Sequence, residues 1–250
     1  MNNQTVEKLY HMKLNGMVTG FNEQREQPSM TELSFDDRFA MIVEREWLYR
    51  ENRKLAIRLK AAKLKRQATI EDVDYRHSRG LDKSLILSLA NCEWIRNHHN
   101  VIITGPTGIG KSYLAEAFAQ KACREGMTAI YYRYPRLFRE LAMARGDGSY
   151  LKLLNRIAKT ELLVIDDWGL SSMNEAERRD FLEVIEDRHG LRSTLITSQY
   201  PVSKWFELIG EPTLADAILD RIIHAAHKIT LKGESMRKKK QNLTHRDHSE

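Results

Sequence analysis

The octapeptide GPTGIGKS, Gly105 to Ser112, constrains this chain more than any other stretch. Glycines at 105, 108 and 110 let the backbone curl around an anion with successive N–H groups turned inward, since no Cβ stands in the way. Lys111 then reaches the β- and γ-phosphates of a nucleotide, and the Ser112 hydroxyl ligates Mg²⁺. The flanks fit this reading. Asn100 to Thr104 reads as a buried strand and Tyr113 to Cys123 as a helix stopped by Gly126, which seats the phosphates on a helix N-terminus. ATP with Mg²⁺ is the expected ligand. The expected contact set is Gly105, Pro106, Thr107, Gly108, Ile109, Gly110, Lys111, Ser112 and Tyr113.

The rest of the chain alternates in the way a covered parallel sheet requires. Thr128 to Tyr134, Leu162 to Ile165 and Thr194 to Thr197 read as further strands, and residues 135–158 and Arg178 to His189 as helices between them. Lys83 to Ile95 reads as one more helix. Residues 1–67 are expected to form a separate small helical domain, in which Val6 to Met17 make a short helix ended near Gly16 and Gly20. After Pro28, Ser34 and Asp37 look like a capping box opening a long helix with Phe35, Phe39, Ile42, Val43, Trp47, Leu55 and Leu59 at helical spacing. Residues 68–79 read as a linker, residues 68–240 as the nucleotide-binding domain, and 241–250 as a polar tail.

An apolar strand ending in two carboxylates, about fifty residues beyond the phosphate loop, supplies the other half of a nucleotide hydrolase. Asp166 is expected to hold the metal together with Ser112, and Asp167 to orient or deprotonate the attacking water. Gln199 ends the following strand, where parallel-sheet sites form, with Thr197 and Ser198 beside it. Arg221 and Arg237 are the candidates to meet charge developing on the transferred phosphoryl group.

Composition limits the remaining choices. A formal charge of +6 is consistent with a nucleic-acid partner. Cys92 and Cys123 stand far apart with no metal-ligand spacing, which predicts a reduced, cytoplasmic setting. No apolar run approaches a membrane span, so no membrane partner is expected.

Taken in order, GPTGIGKS, LLVIDDWG, ITSQYPV, ADAILDRI and KGESMRKK resemble the AAA+ ATPases of the clade that includes DnaA, DnaC and the IstB transposition helpers. The likeness runs from about Ala68 to Lys240, and IDDWG followed by TSQYP is most similar to the IstB proteins. The resemblance implies a P-loop AAA+ domain and an ATPase that assembles on double-stranded DNA and remodels it for a cognate transposase. It also implies a homo-oligomer with ATP sites between subunits, in which Arg221 reaches a neighbour's nucleotide, Arg237 acts in cis and Gln199 serves as the first sensor. Two positions depart from the pattern. Many AAA+ enzymes carry Glu where Asp167 stands, which predicts slow hydrolysis, and Gln199 replaces a commoner Asn.

The clade also engages DNA through a helical element between the second and third strands. In this chain that interval carries Arg133, Arg136, Arg139, Arg145 and Lys152, and the long N-terminal helix adds Arg50, Arg53 and Lys54. No base-reading module is recognisable, so contacts are expected to phosphates and shape. Three alternatives remain: a DnaC-like helicase loader, a P-loop kinase acting on a small molecule, and a structural DNA-binding protein in which ATP only permits assembly.

Overall fold

The structure, a computed structural model, describes residues 2–77 and 79–236, so Arg237 and the polar tail lie outside the described residues. Two compact units divide between Ile57 and Arg58.

The first unit is helical. Helices α1 (Asn2–His11) and α2 (Asn15–Glu26) lead through a 3-10 turn at Pro28–Glu32 to α3 (Phe35–Ala62). The expected single helix over Val6 to Met17 is instead broken at Lys13, which adopts φ 58°. Gly16 and Gly20 lie inside α2 rather than ending a helix. The reason is packing: a Cβ on Gly16 would sit 2.6 Å from the Arg45 carbonyl oxygen of α3. The Met17 amide donates to Glu46 at 3.1 Å, and Arg45 pairs with Glu23 at 2.6 Å. Ser34 accepts from the Asp37 amide at 3.1 Å, the cap read from the sequence. The apolar stripe of α3 is not a core stripe, because Phe35, Phe39, Val43 and Trp47 are all exposed, Phe35 at 69%.

The division at Ile57/Arg58 comes ten residues before the expected one. Arg58 Nε donates to the Cys123 carbonyl at 2.9 Å, and Ala62 is fully buried, so the end of α3 belongs to the second unit. That unit continues with α4 (Lys83–Leu89), α5 (Glu93–Arg96), β1 (Asn100–Thr104), α6 (Lys111–Arg124), β2 (Ala129–Arg133), α7 (Tyr134–Asp147), α8 (Tyr150–Lys159), β3 (Leu162–Trp168), α9 (Glu175–Glu186), β4 (Ser193–Ser198), α10 (Trp205–Ile209), α11 (Pro212–Ile223) and β5 (Ala226–Thr230). The strands form one parallel sheet in the order β2-β3-β4-β1-β5. Strand β5 was not foreseen: of its residues only Ile229 is buried, so its apolar content is too low to read.

The helix expected over Lys83 to Ile95 is two pieces. Cys92 takes φ 62°, and the Asn91 side chain accepts from the Glu93 amide at 2.9 Å, restarting the chain as α5. Residues 68–77 form no regular element, yet Ala68, Ile70, Val73 and, beyond them, Arg79 are buried. Burial pushes the thiols of Cys92 and Cys123 up to about 11, which keeps both protonated at neutral pH. On the other side of the sheet Trp168 and Trp205 meet at 4.3 Å between ring centroids, with Phe181, Phe138 and Tyr134 around them. Among the described residues no helix is long and apolar enough to cross a membrane.

The tight contact of α2 with α3 makes a directional prediction. Gly16→Ala should destabilise the helical unit by roughly 1–3 kcal/mol through overpacking, although alanine is the better helix former. Hydrogen exchange of α2 amides in the full chain reads this, and slower exchange in the variant would contradict the packing.

Candidate functional site

The strand-to-helix turn after β1 builds the phosphate loop from both ends. The Gly105 amide donates to the Ser198 carbonyl of β4 at 3.2 Å, and the Met236 amide to the Gly108 carbonyl at 3.0 Å. Gly110, just before α6, takes φ 104°, and a Cβ there would lie 2.4 Å from Arg79 Nη1. Arg79 is buried and donates to the Ile109 carbonyl at 2.9 Å and the Asp74 carbonyl at 2.8 Å, so the segment before α4 braces the loop. Thr107 donates to Gln199 at 3.0 Å, joining the loop to the end of β4.

Lys111 folds its ammonium back onto the loop, donating to the carbonyls of Gly105 at 2.7 Å and Pro106 at 2.9 Å. Burial lowers its pKa, and the charges of Asp167 and Asp166 oppose that shift. The same ammonium therefore feels the loop and both carboxylates.

Those carboxylates are aimed by an irregularity in β3. Its pairing with β4 slips between Ile165 and Trp168, and Asp167 takes φ 61°, so adjacent acidic residues serve different partners. Asp166 is 2% exposed and accepts from the Tyr131 hydroxyl of β2 and the Thr197 hydroxyl of β4, both at 2.5 Å. Burial, then the charge of Asp166, raises the Tyr131 phenol's pKa and keeps it a donor. Thr197 also accepts from the Asp167 amide at 3.0 Å. The Asp167 side chain turns outward to Arg133 at the end of β2, paired at 2.7 Å.

Lys111, Tyr131, Arg133, Asp166 and Asp167 line one cavity of about 850 Å³, together with Ser112, Tyr113 and Gln199. Its further wall holds Lys65, Arg66 and Glu116, whose buried carboxylate accepts from the Lys65 and Arg66 amides at 3.0 and 2.7 Å. A glycine cradle beside a lysine fits a triphosphate. Hard oxygen donors on Ser112 and Asp166 fit Mg²⁺, an ion that takes few protein ligands and completes its shell with phosphates and water.

The other candidates fall elsewhere. Arg221, near the end of α11, pairs with Glu186 at 2.8 Å and lines a second, smaller cavity. Arg136 is exposed and paired with Glu140 at 2.9 Å, and Arg139 and Lys152 are exposed. Arg145 pairs with Asp180 and stacks 3.7 Å over the Tyr150 ring, which ties α7 and α8 to α9, and its side chain is 49% exposed. Arg50 and Lys54 pair with Glu46 and Glu51 along α3, and Arg53 is exposed. Sequence reasoning missed Tyr131, Arg79 and Glu116. It also read Arg133 only as a DNA contact. For Tyr131 and Arg133 the available signal was their alternate spacing on one strand, which puts both on the face that Asp166 uses.

A parallel sheet in this order, with a phosphate loop after β1, the strand between β4 and β5, and paired carboxylates on β3, defines a P-loop protein of the AAA+ type. The DnaC helicase loader superposes with a TM-score of 0.58 over 66% of this chain and 97% of that one, at 20% identity. DnaA bound to AMPPCP and single-stranded DNA gives 0.56 over 73% of this chain and 56% of that one, at 19% identity. Sequence relatives reach further. The insertion sequence ATP-binding protein y4pL of Sinorhizobium fredii is 52% identical over 94% of this chain and 96% of its own length. That of IS21 from Pseudomonas aeruginosa is 32% identical over 86% and 81%. The model of the IstB-like ATP binding proteins matches residues 7–244, and the chain belongs to that family.

Removing one donor from Asp166 should be costly because the carboxylate is buried. Tyr131→Phe should lower unfolding stability by roughly 1–3 kcal/mol. A denaturant midpoint equal to that of the native chain would show that the bond contributes nothing.

Proposed function

We propose that this protein is a Mg²⁺-dependent ATPase that assembles on double-stranded DNA and prepares it for the transposase of an insertion sequence. The observation that carries the reading is the convergence of Lys111, Asp166 and Asp167 in one cavity beside the phosphate loop. The relatives' names, insertion sequence ATP-binding proteins, support the biological setting.

In this reading the loop amides and Lys111 bind the β- and γ-phosphates. Ser112 and Asp166 would hold Mg²⁺, which would neutralise charge on the phosphates. Tyr131 and Thr197 hold the Asp166 carboxylate fixed, so it needs no reorganisation as nucleotide arrives. Asp167 takes a proton from the attacking water, the γ-phosphorus–oxygen bond to ADP breaks, and inorganic phosphate leaves. For that step Arg133 must yield its ion pair with Asp167. Gln199, held by Thr107, orients the γ-phosphate or the water. Arg221 is assigned to the nucleotide of a neighbouring subunit, and Arg237 to its own.

Asp167→Asn should leave nucleotide affinity unchanged and lower turnover by about 10²–10⁴-fold, the usual contribution of a positioned base. Phosphate release at the native rate would remove Asp167 from the mechanism.

For DNA, the exposed guanidinium groups of Arg136 and Arg139 on α7, with Lys152 on α8, support contacts to phosphates rather than base edges. Replacing Arg136 and Arg139 together with Ala should weaken binding to unrelated duplexes alike. It should also make the slope of log affinity against log salt shallower by roughly 2, close to 0.9 per lost phosphate contact. An unchanged slope would move the DNA path to Arg50, Arg53 and Lys54.

A further inference from the structure

The smaller cavity, of about 140 Å³, lies where β1, β4 and β5 begin, at the end of the sheet opposite the phosphate loop. Its walls are the segment before β1 with His98 and His99, the turn between α9 and β4 with Arg188, His189 and Arg192, and the end of α11 with Arg221. Among the described residues no Asp or Glu lines it.

Of the arginines in these walls Arg221 is paired with Glu186 at 2.8 Å, whereas Arg188 and Arg192 pair with no carboxylate among the described residues. Arg188 is 1% exposed, and its guanidinium donates only to neutral oxygens: the Thr194 hydroxyl at 3.1 Å and the carbonyls of Ile157, Thr160, Glu161 and Ser193. Burial drives its pKa down, and the nearby charge of Arg192 pushes the same way. A guanidinium taken out of water without a counter-ion carries a large desolvation cost. Two further nitrogens, Arg192 Nε and His98 Nδ1, are buried with no hydrogen-bond partner. Tying the end of α8 and the turn after it to the start of β4 explains Arg188, because its bonds end on carbonyls and a hydroxyl of those segments. It explains neither the second cation nor the two unused nitrogens.

We propose that this cavity is a binding site for a phosphate-class anion, held by Arg192 and His98 in the field of Arg188. An anion there supplies the missing countercharge and accepts from the unused nitrogens. The volume suits a single phosphate group, several times the ~30 Å³ share of one water. Such a group has two sources: a free phosphate ion, or the terminal phosphate of a nucleotide on a second copy of the chain. Only the second source rests on the assignment of Arg221 to a neighbour's nucleotide.

The test uses the full chain carrying Lys111→Ala, to weaken competition from the phosphate loop. It is titrated with inorganic phosphate at constant ionic strength, and the histidine ring resonances are followed by NMR. Saturable shifts of His98 and His99 are expected, with affinity at least tenfold weaker when Arg192→Gln is added and partly restored by Arg192→Lys. His98→Ala, on the facing wall, gives the same loss without touching the α9–β4 turn. Phosphate shifts that are absent, or equal in affinity with and without Arg192→Gln and His98→Ala, overturn the site. ATP turnover in mixtures then separates the sources. If Arg192→Gln chains gain turnover on mixing with Lys111→Ala chains, the anion is a neighbour's nucleotide; if mixing changes nothing, it is the free ion. A native chain that hydrolyses no ATP would defeat the proposed function and leave the phosphate titration to decide the pocket alone.

Discussion

The pair of short hydrogen bonds that fixes Asp166 is the interaction on which the site depends. Tyr131 reaches it from β2 and Thr197 from β4, so three neighbouring strands meet at one buried carboxylate. Inside the sheet an unpaired carboxylate is costly, whereas one with two donors is tolerated and already aimed. The slip in β3 after Ile165 follows from the same need, because a regular strand would send Asp166 and Asp167 to opposite faces. The left-handed Asp167 and the hydrogen bond its backbone N–H donates to the Thr197 hydroxyl keep the second carboxylate at the rim of the same cavity.

From that centre the two halves of the second unit acquire their roles. The loop after β1 is braced from the segment before α4 by Arg79 and from beyond β5 by the Met236 amide, so parts of the chain distant in sequence shape one anion cradle. On the other side, Arg133 ends β2 and immediately precedes α7, the helix that carries Arg136 and Arg139. Its ion pair with Asp167 joins the surface assigned to DNA to the carboxylate assigned to hydrolysis.

The nucleotide loop and the paired carboxylates were legible in the sequence because glycine spacing and an apolar run ending in Asp-Asp are local signals. Four of the strands were legible for the same reason, since buried parallel strands read as continuous apolar runs. What escaped was set by packing between distant segments. Gly16 looked like a helix terminator and is a contact point for α3, and Cys92 looked helical and takes a left-handed turn. Strand β5 buries only Ile229, and the contact of Arg145 with Asp180 joins residues thirty-five apart. The apolar stripe of α3 had the period of a core face and is exposed, because period alone does not say what covers a helix.

Every role proposed for the second unit requires the loop from Gly105 to Ser112 to bind ATP with Lys111 as its charge. Isothermal titration of the native chain and of Lys111→Ala with a non-hydrolysable ATP analogue and Mg²⁺ tests it most directly. Saturable binding by the native chain and affinity at least tenfold weaker in the variant, a loss of about 1.4 kcal/mol, is the predicted result. Equal affinity in the two chains, or no binding by the native one, would contradict it.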